Sequence, residues 1–147
     1  MLKKIKEFKG ENMNQFEWTT KMSVGIKEID DQHKKFISLI NKTQVLYEKK
    51  AKKEILQRHL DDILEYARIH FSTEEKYFDK YKYPLSNEHK IKHLELLAKA
   101  IAAYDKFEKE GPIVLPGIMD FLKEWLEKHL AKYDHKYAIY FKENGLV

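Results

Sequence analysis

The sequence predicts an all-α fold, an up-down-up-down four-helix bundle preceded by an extended N-terminal arm. Three observations carry this. Apolar residues recur at alternating spacings of three and four over four separate segments, the period of a single buried helical face. No segment shows the alternation of two that marks a strand. Each predicted helix also carries histidine or carboxylate residues in line with its apolar stripe: His33, then His70 with Glu74, His89 with His93, and His129 with Asp134. Residues four apart share a helix face, and facing side chains of this kind build a metal centre inside a bundle.

Residues 1–29 carry Phe16, Trp18, Val24, Ile26 and Ile29 without helical period. They read as an arm packed over the bundle, frayed over its first dozen residues, with Met13 as an alternative start. Asp30 or Asp31 then offers an N-cap, which puts His33 in the first turn of the first helix. Phe36, Ile37, Ile40, Thr43 and Tyr47 continue its inward stripe. The second helix begins near Lys53, with Leu56, Leu60, Ile63, Ala67, His70, Glu74, Phe78 and Tyr81 on one face. Tyr83-Pro84 ends it, and Ser86 is placed to cap the third helix, with Leu85 as the apolar staple before it. That helix presents His89, His93, Leu96, Ala100 and Phe107, and Gly111-Pro112 stops it. Ile113-Val114-Leu115 forms an apolar connection, and Pro116 opens the fourth helix, whose stripe is Ile118, Leu122, Trp125 and His129. The 147 residues suit one domain, with the bundle over 30–143.

Composition narrows the function classes. No run of 18 apolar residues is present, which argues against a membrane span. The basic N-terminus is not followed by the apolar run of a secretory signal. The absence of cysteine excludes disulfides, thiolate chemistry and cysteine-ligated clusters, and the cytoplasm is the expected location. The net charge of +4 comes from 28 basic and 24 acidic residues mixed along the chain, with Arg58 and Arg68 the only arginines. Nucleic-acid readers rely on clustered, bidentate arginine, so nucleic acid is not an expected partner. Lys49-Lys50-Ala51-Lys52-Lys53 reads as a solvated helix end and turn.

A single histidine on an apolar stripe is usually a hydrogen-bonded core residue. Five imidazoles and two carboxylates lined up with the core are different, because burying them unpartnered costs several kcal/mol per ion. A metal supplies the missing charge, and seven ligands are too many for one octahedral ion. His59 lies close to the ligand line in angle but about three turns from His70, and His135 points elsewhere. Neither is expected to bind metal. His129 and Asp134 are five apart, about 140° around a regular α-helix. If both reach the same metal pair, the fourth helix must be widened between them, as by a π-bulge.

These residues resemble the hemerythrin family, in particular its single-domain bacterial type. The matching stretches are Asp31-Gln32-His33, His70-Phe71-Ser72-Thr73-Glu74, His89-Lys90-Ile91-Lys92-His93, and Trp125 through His129 to Asp134. The likeness runs from about Trp18 to Tyr137. It implies a non-haem centre of two iron ions per chain, joined by an oxo or hydroxo bridge. In that allocation His89, His93 and His129 hold one iron, His33 and His70 hold the other, and Glu74 and Asp134 bridge. The second iron is then one ligand short, and the family binds dioxygen at that position; small anions such as azide are expected there too. Phe36, Phe71, Leu96, Trp125, Leu126 and Leu130 are candidates for the dry wall that such a site needs, and each equally suits an ordinary core position. Reversible dioxygen binding, for transport, storage or delivery and without catalysis, is therefore the expected function. A peroxidase or nitric-oxide-scavenging enzyme and a dioxygen, redox or iron sensor are the alternatives. An imidazole-rich set favours the ferrous state more than the carboxylate-rich sets of ferritin-like oxidases, which favours binding over turnover.

Overall fold

A computed structural model describes residues 15–146. The frayed first dozen residues and the Met13 question lie outside that range. The described residues are all helical or irregular, with no strand among them. The helices are α1 (Lys27–Glu48), α2 (Lys53–Lys80), α3 (Ser86–Glu110), α4 (Leu115–His129) and α5 (His135–Glu143). A π-helical segment, Leu130–Asp134, joins α4 to α5, so these form one long fourth rod. Connections of four or five residues make successive helices antiparallel. Each rod packs on the next, and the fourth closes on the first. The result is the up-down-up-down bundle.

The arm is held by side chains that mimic backbone partners. Asn41 on α1 accepts the Phe16 N–H at 2.8 Å and donates to the Phe16 carbonyl at 2.7 Å. Phe16 can therefore bury its ring without stranding its peptide groups. One 3₁₀ turn, Thr20–Met22, interrupts the arm. Asp30 does not cap α1. The helix starts earlier, at Lys27, and Asp30 instead accepts the Val24 N–H at 2.8 Å and the Ser23 hydroxyl at 2.5 Å. This folds the arm back onto the helix and moves His33 from the first turn to the second. Ser86 likewise is the first residue of α3 and makes no capping hydrogen bond. Pro116 does lie in the first turn of α4, as its missing N–H favours.

The ends of α1, α2 and α5 close with one arrangement. An N–H bonds back across the turn from Ala51 to Leu46, from Tyr83 to Phe78 and from Leu146 to Phe141. The residue between is left-handed: Lys50 at φ 60°, Lys82 at φ 54° and Gly145 at φ 67°. Only the last has the glycine that this conformation favours, so the two lysine ends carried no sequence signal.

The core falls into two apolar clusters. The larger contains Phe36, Ile40, Leu56, Leu60, Ile63, Phe71, Leu96, Phe107, Leu115, Met119 and Leu126. The smaller contains Val24, Ile26, Ile29, Phe78, Tyr83, Tyr137 and Phe141. His70 and His93 touch Phe71 of the larger cluster, while His89 touches Phe78 and Tyr137 of the smaller. The polar side chains thus sit between the two.

Candidate metal centre

His33 on α1, His70 and Glu74 on α2, His89 and His93 on α3, His129 at the end of α4 and Asp134 at the end of the π segment are all buried. Their four-residue spacings on α2 and α3 put each pair in line with the stripe that drives helix packing, so packing itself brings them together. The donor atoms of Glu74, His89, His93 and His129 lie within 4.8 Å of one another, as do those of His33, His70, Glu74 and Asp134. His59 and His135 belong to neither group. His59 is only partly buried, and His135 is exposed.

Each carboxylate divides its two oxygens between the groups. Glu74 Oε1 lies 3.0 Å from His93 Nε2 and 3.7 Å from His89 Nε2, while Oε2 lies 3.4 Å from His70 Nε2 and 3.8 Å from His33 Nε2. Asp134 Oδ1 lies 3.0 Å from His89 Nε2 and 3.1 Å from His129 Nε2, with Oδ2 3.2 Å from His33 Nε2. One side of this layer has three imidazole nitrogens and two oxygens. The other has two nitrogens and two oxygens.

The π segment makes the Asp134 contacts possible. The His135 N–H bonds to the Leu130 carbonyl five residues back, which widens the turn. Asp134 therefore returns to the face of His129, where a regular helix would turn it about 140° away. The sequence expectation of a local irregularity is borne out.

The residues fit a pair of metal ions. His33 Nδ1 and Nε2, Glu74 Oε1, His93 Nε2 and both Asp134 oxygens are buried without a hydrogen-bond partner. The Nε2 atoms of His129 and His89 face each other at 3.0 Å, an arrangement that needs a proton or cation between two lone pairs. Unsatisfied buried polar groups of this kind call for an ion. The two clusters are positioned to ligate a binuclear iron centre jointly. Buried imidazole and carboxylate donors without thiolates suit iron chemistry.

Without metal, protons do the balancing. Burial, the largest influence, pulls His89 down, but the nearby Asp134 and Glu74 carboxylates overturn it and hold the pKa up to about 9. His33 and His93 are raised by the same contest. In His70 burial wins over the Glu74 contact, and its pKa falls. Burial pushes Glu74 up, yet the surrounding histidines hold it well below the carboxylate range. Burial and the Glu74 charge push Asp134 up, and His129 and His33 overturn both. Metal binding would displace the imidazole protons.

Aromatic rings fix the imidazole planes. Phe71 stacks on His93 with centroids 3.8 Å apart, and Trp125 stacks on His129 at 4.3 Å. Of the six candidate wall residues, Phe36, Phe71, Leu96, Leu126 and Leu130 are buried in the larger cluster, with Trp125 packed at its edge.

Three residues with roles here were not singled out from the sequence. Gln32 accepts from His70 Nδ1 at 2.7 Å, Glu75 accepts from His93 Nδ1 at 2.9 Å, and the Tyr137 hydroxyl donates to Glu74 Oε2. The first two hold their histidines in the tautomer that frees Nε2 for metal. Gln32 precedes a predicted ligand and Glu75 follows one, and Tyr137 lies one turn beyond Asp134. Adjacency was the available signal.

A fold of four antiparallel rods and a shared five-histidine, two-carboxylate layer define a hemerythrin-type protein. The family model described as Hemerythrin HHE cation binding domain matches residues 24–138, and this chain belongs to the hemerythrin family. It is similar to a bacteriohemerythrin of Stenotrophomonas maltophilia, 27% identical over 121 residues, covering 82% of this chain and 78% of that protein. A bacteriohemerythrin of Clostridium acetobutylicum is 27% identical over 126 residues, covering 83% and 98%. A hemerythrin-like protein of Naegleria gruberi is 29% identical over 122 residues, covering 83% and 90%.

Proposed function

We propose that this chain is a reversible dioxygen binder, with His89, His93 and His129 holding one iron, His33 and His70 the other, and Glu74 and Asp134 bridging them. The observation that carries the reading is the division of each carboxylate's oxygens between two unequal nitrogen sets. The two-histidine position has one nitrogen fewer, so it is the one with room for an outside ligand. When bound, ferrous iron supplies the electrons that dioxygen takes up and returns.

The protein's own contribution is to hold and exclude. Gln32 and Glu75 orient His70 and His93, Tyr137 holds Glu74, and Phe71 and Trp125 fix ring planes against the site. The apolar residues around this layer keep water and protons from a reactive ligand. Family membership and the imidazole-rich set support a role without turnover. No helix among the described residues is long and apolar enough to cross a membrane; a cytoplasmic location, part of the same proposal, rests on the cysteine-free composition.

The test is a cycle on iron-loaded protein with metal analysis. Two irons per chain are expected, with an optical change on admitting air to the ferrous form that reverses on deoxygenation. Azide should bind the ferric form at the two-histidine position. Steady dioxygen consumption over repeated cycles would overturn the carrier reading in favour of an enzyme. A single iron would remove the dinuclear assignment.

A further inference from the structure

His93 and His70 both face Glu74, and they are held from behind by different chemistry. His93 Nδ1 lies 2.9 Å from Glu75 Oε2, and a carboxylate oxygen only accepts, so Nδ1 donates its proton to an anion. His70 Nδ1 lies 2.7 Å from Gln32 Oε1, the oxygen of a neutral amide. A second bond fixes the orientation of that amide. The Thr73 hydroxyl donates to the Ile69 carbonyl at 3.1 Å, so its oxygen is free to accept from Gln32 Nε2, also at 3.1 Å. Oε1 is then the atom left for His70. Both histidines carry the proton on Nδ1 and turn a free Nε2 toward the site, yet one partner is charged and the other is not.

An anionic acceptor draws the Nδ1 proton toward itself and makes Nε2 a stronger donor to metal. A stronger donor stabilises ferric over ferrous iron. Glu75 does this from the rim of an open groove of about 380 Å³, where Arg68, Lys76 and Asp79 also line the wall. Its charge is therefore kept out of the buried Glu74–Asp134 pair.

We propose that Glu75 and Gln32 are positioning residues that set the order in which the two ions give up electrons. Glu75, through His93, makes the three-histidine ion the easier to oxidise, and Gln32, through His70, leaves the two-histidine ion the harder. This rests on the dioxygen-binding reading and deepens it. With iron held by these residues, reducing dioxygen to the peroxide level would draw one electron from each ion, ferrous to ferric, and release would return both. A neighbour biased toward the ferric state is the one prepared to supply the second electron.

The test uses the full iron-loaded chain, a redox titration followed optically, and Mössbauer spectra of the one-electron-oxidised sample to identify the ferric site. In the unsubstituted protein the first ferric ion should be the three-histidine one. Glu75→Gln should keep both irons and shift the ferric-to-ferrous ratio of that ion about tenfold toward ferrous at a fixed potential, which is 59 mV for one electron. Gln32→Glu should shift the other ion by a similar factor toward ferric and narrow the gap between the two steps. If Glu75→Gln sheds iron, the Gln32→Glu shift decides alone. Two-iron variants whose ratios stay within twofold of the unsubstituted protein would overturn the inference, as would a first oxidation at the two-histidine ion. None of these measurements uses dioxygen. A chain that shows the shifts and fails to bind dioxygen would refute the functional reading and leave this one standing.

Discussion

Tyr137→Phe removes one oxygen from the centre of the molecule and almost nothing else. The Tyr137 ring is fully buried between Phe78, Tyr83 and Phe141, and phenylalanine fills the same space. The hydroxyl is lost, and with it the hydrogen bond to Glu74 Oε2. Burial, with the Asp134 and Glu74 charges, pushes the phenol well above its usual range, so it stays a donor throughout the working pH range. A hydrogen bond to a charged group contributes about 1.5–3 kcal/mol. Both groups are buried, so solvent does not screen that figure. The bond is present without metal, so its loss should lower the stability of the metal-free form by about that amount, and iron should be released to a chelator more readily by whatever part of the bond strengthens on loading. The assay is chelator competition on iron-loaded protein, with urea unfolding of the metal-free form beside it. Unchanged iron retention and an unchanged unfolding midpoint together would refute the view that Tyr137 holds the bridging carboxylate.

Glu74→Ala should lose both irons or leave them labile, because one side chain serves both positions, whereas His59→Ala should leave metal content and optical spectrum unchanged; equal behaviour by metal analysis would sink the distinction. In the metal-free protein His89 is held up to about 9, against about 6.5 unfolded. Its stabilising contribution should be complete below about 6.5 and vanish as pH rises through about 9. Urea midpoints across that window should fall for the metal-free form and stay flat for the loaded one. Lys50→Gly relieves a left-handed lysine on an exposed turn and should stabilise the protein by about 1 kcal/mol, read as a raised unfolding midpoint.

The sequence by itself determined the helices' inward faces and the seven side chains that meet in the buried cluster. Both are local properties: residues four apart meet on a helix whatever surrounds it, so His70 with Glu74 and His89 with His93 could be read without knowing the partner helix. The awkward spacing of His129 and Asp134 even required the π turn that the fold contains. Helix starts were less legible. Asp30 looks like a cap, and only the folded-back arm, with Ser23 and Val24 bonding to its carboxylate, shows why α1 begins before it. Lys50 and Lys82 end helices without glycine because the turn's own hydrogen bonds offset the strain. The partners of the site residues were decided by tertiary structure alone. Gln32 meets His70 across 38 positions, and Tyr137 meets Glu74 across 63. Which side chain arrives behind an imidazole depends on how two helices are rotated against each other, and that rotation is set by the packing of the whole core, which no local spacing records.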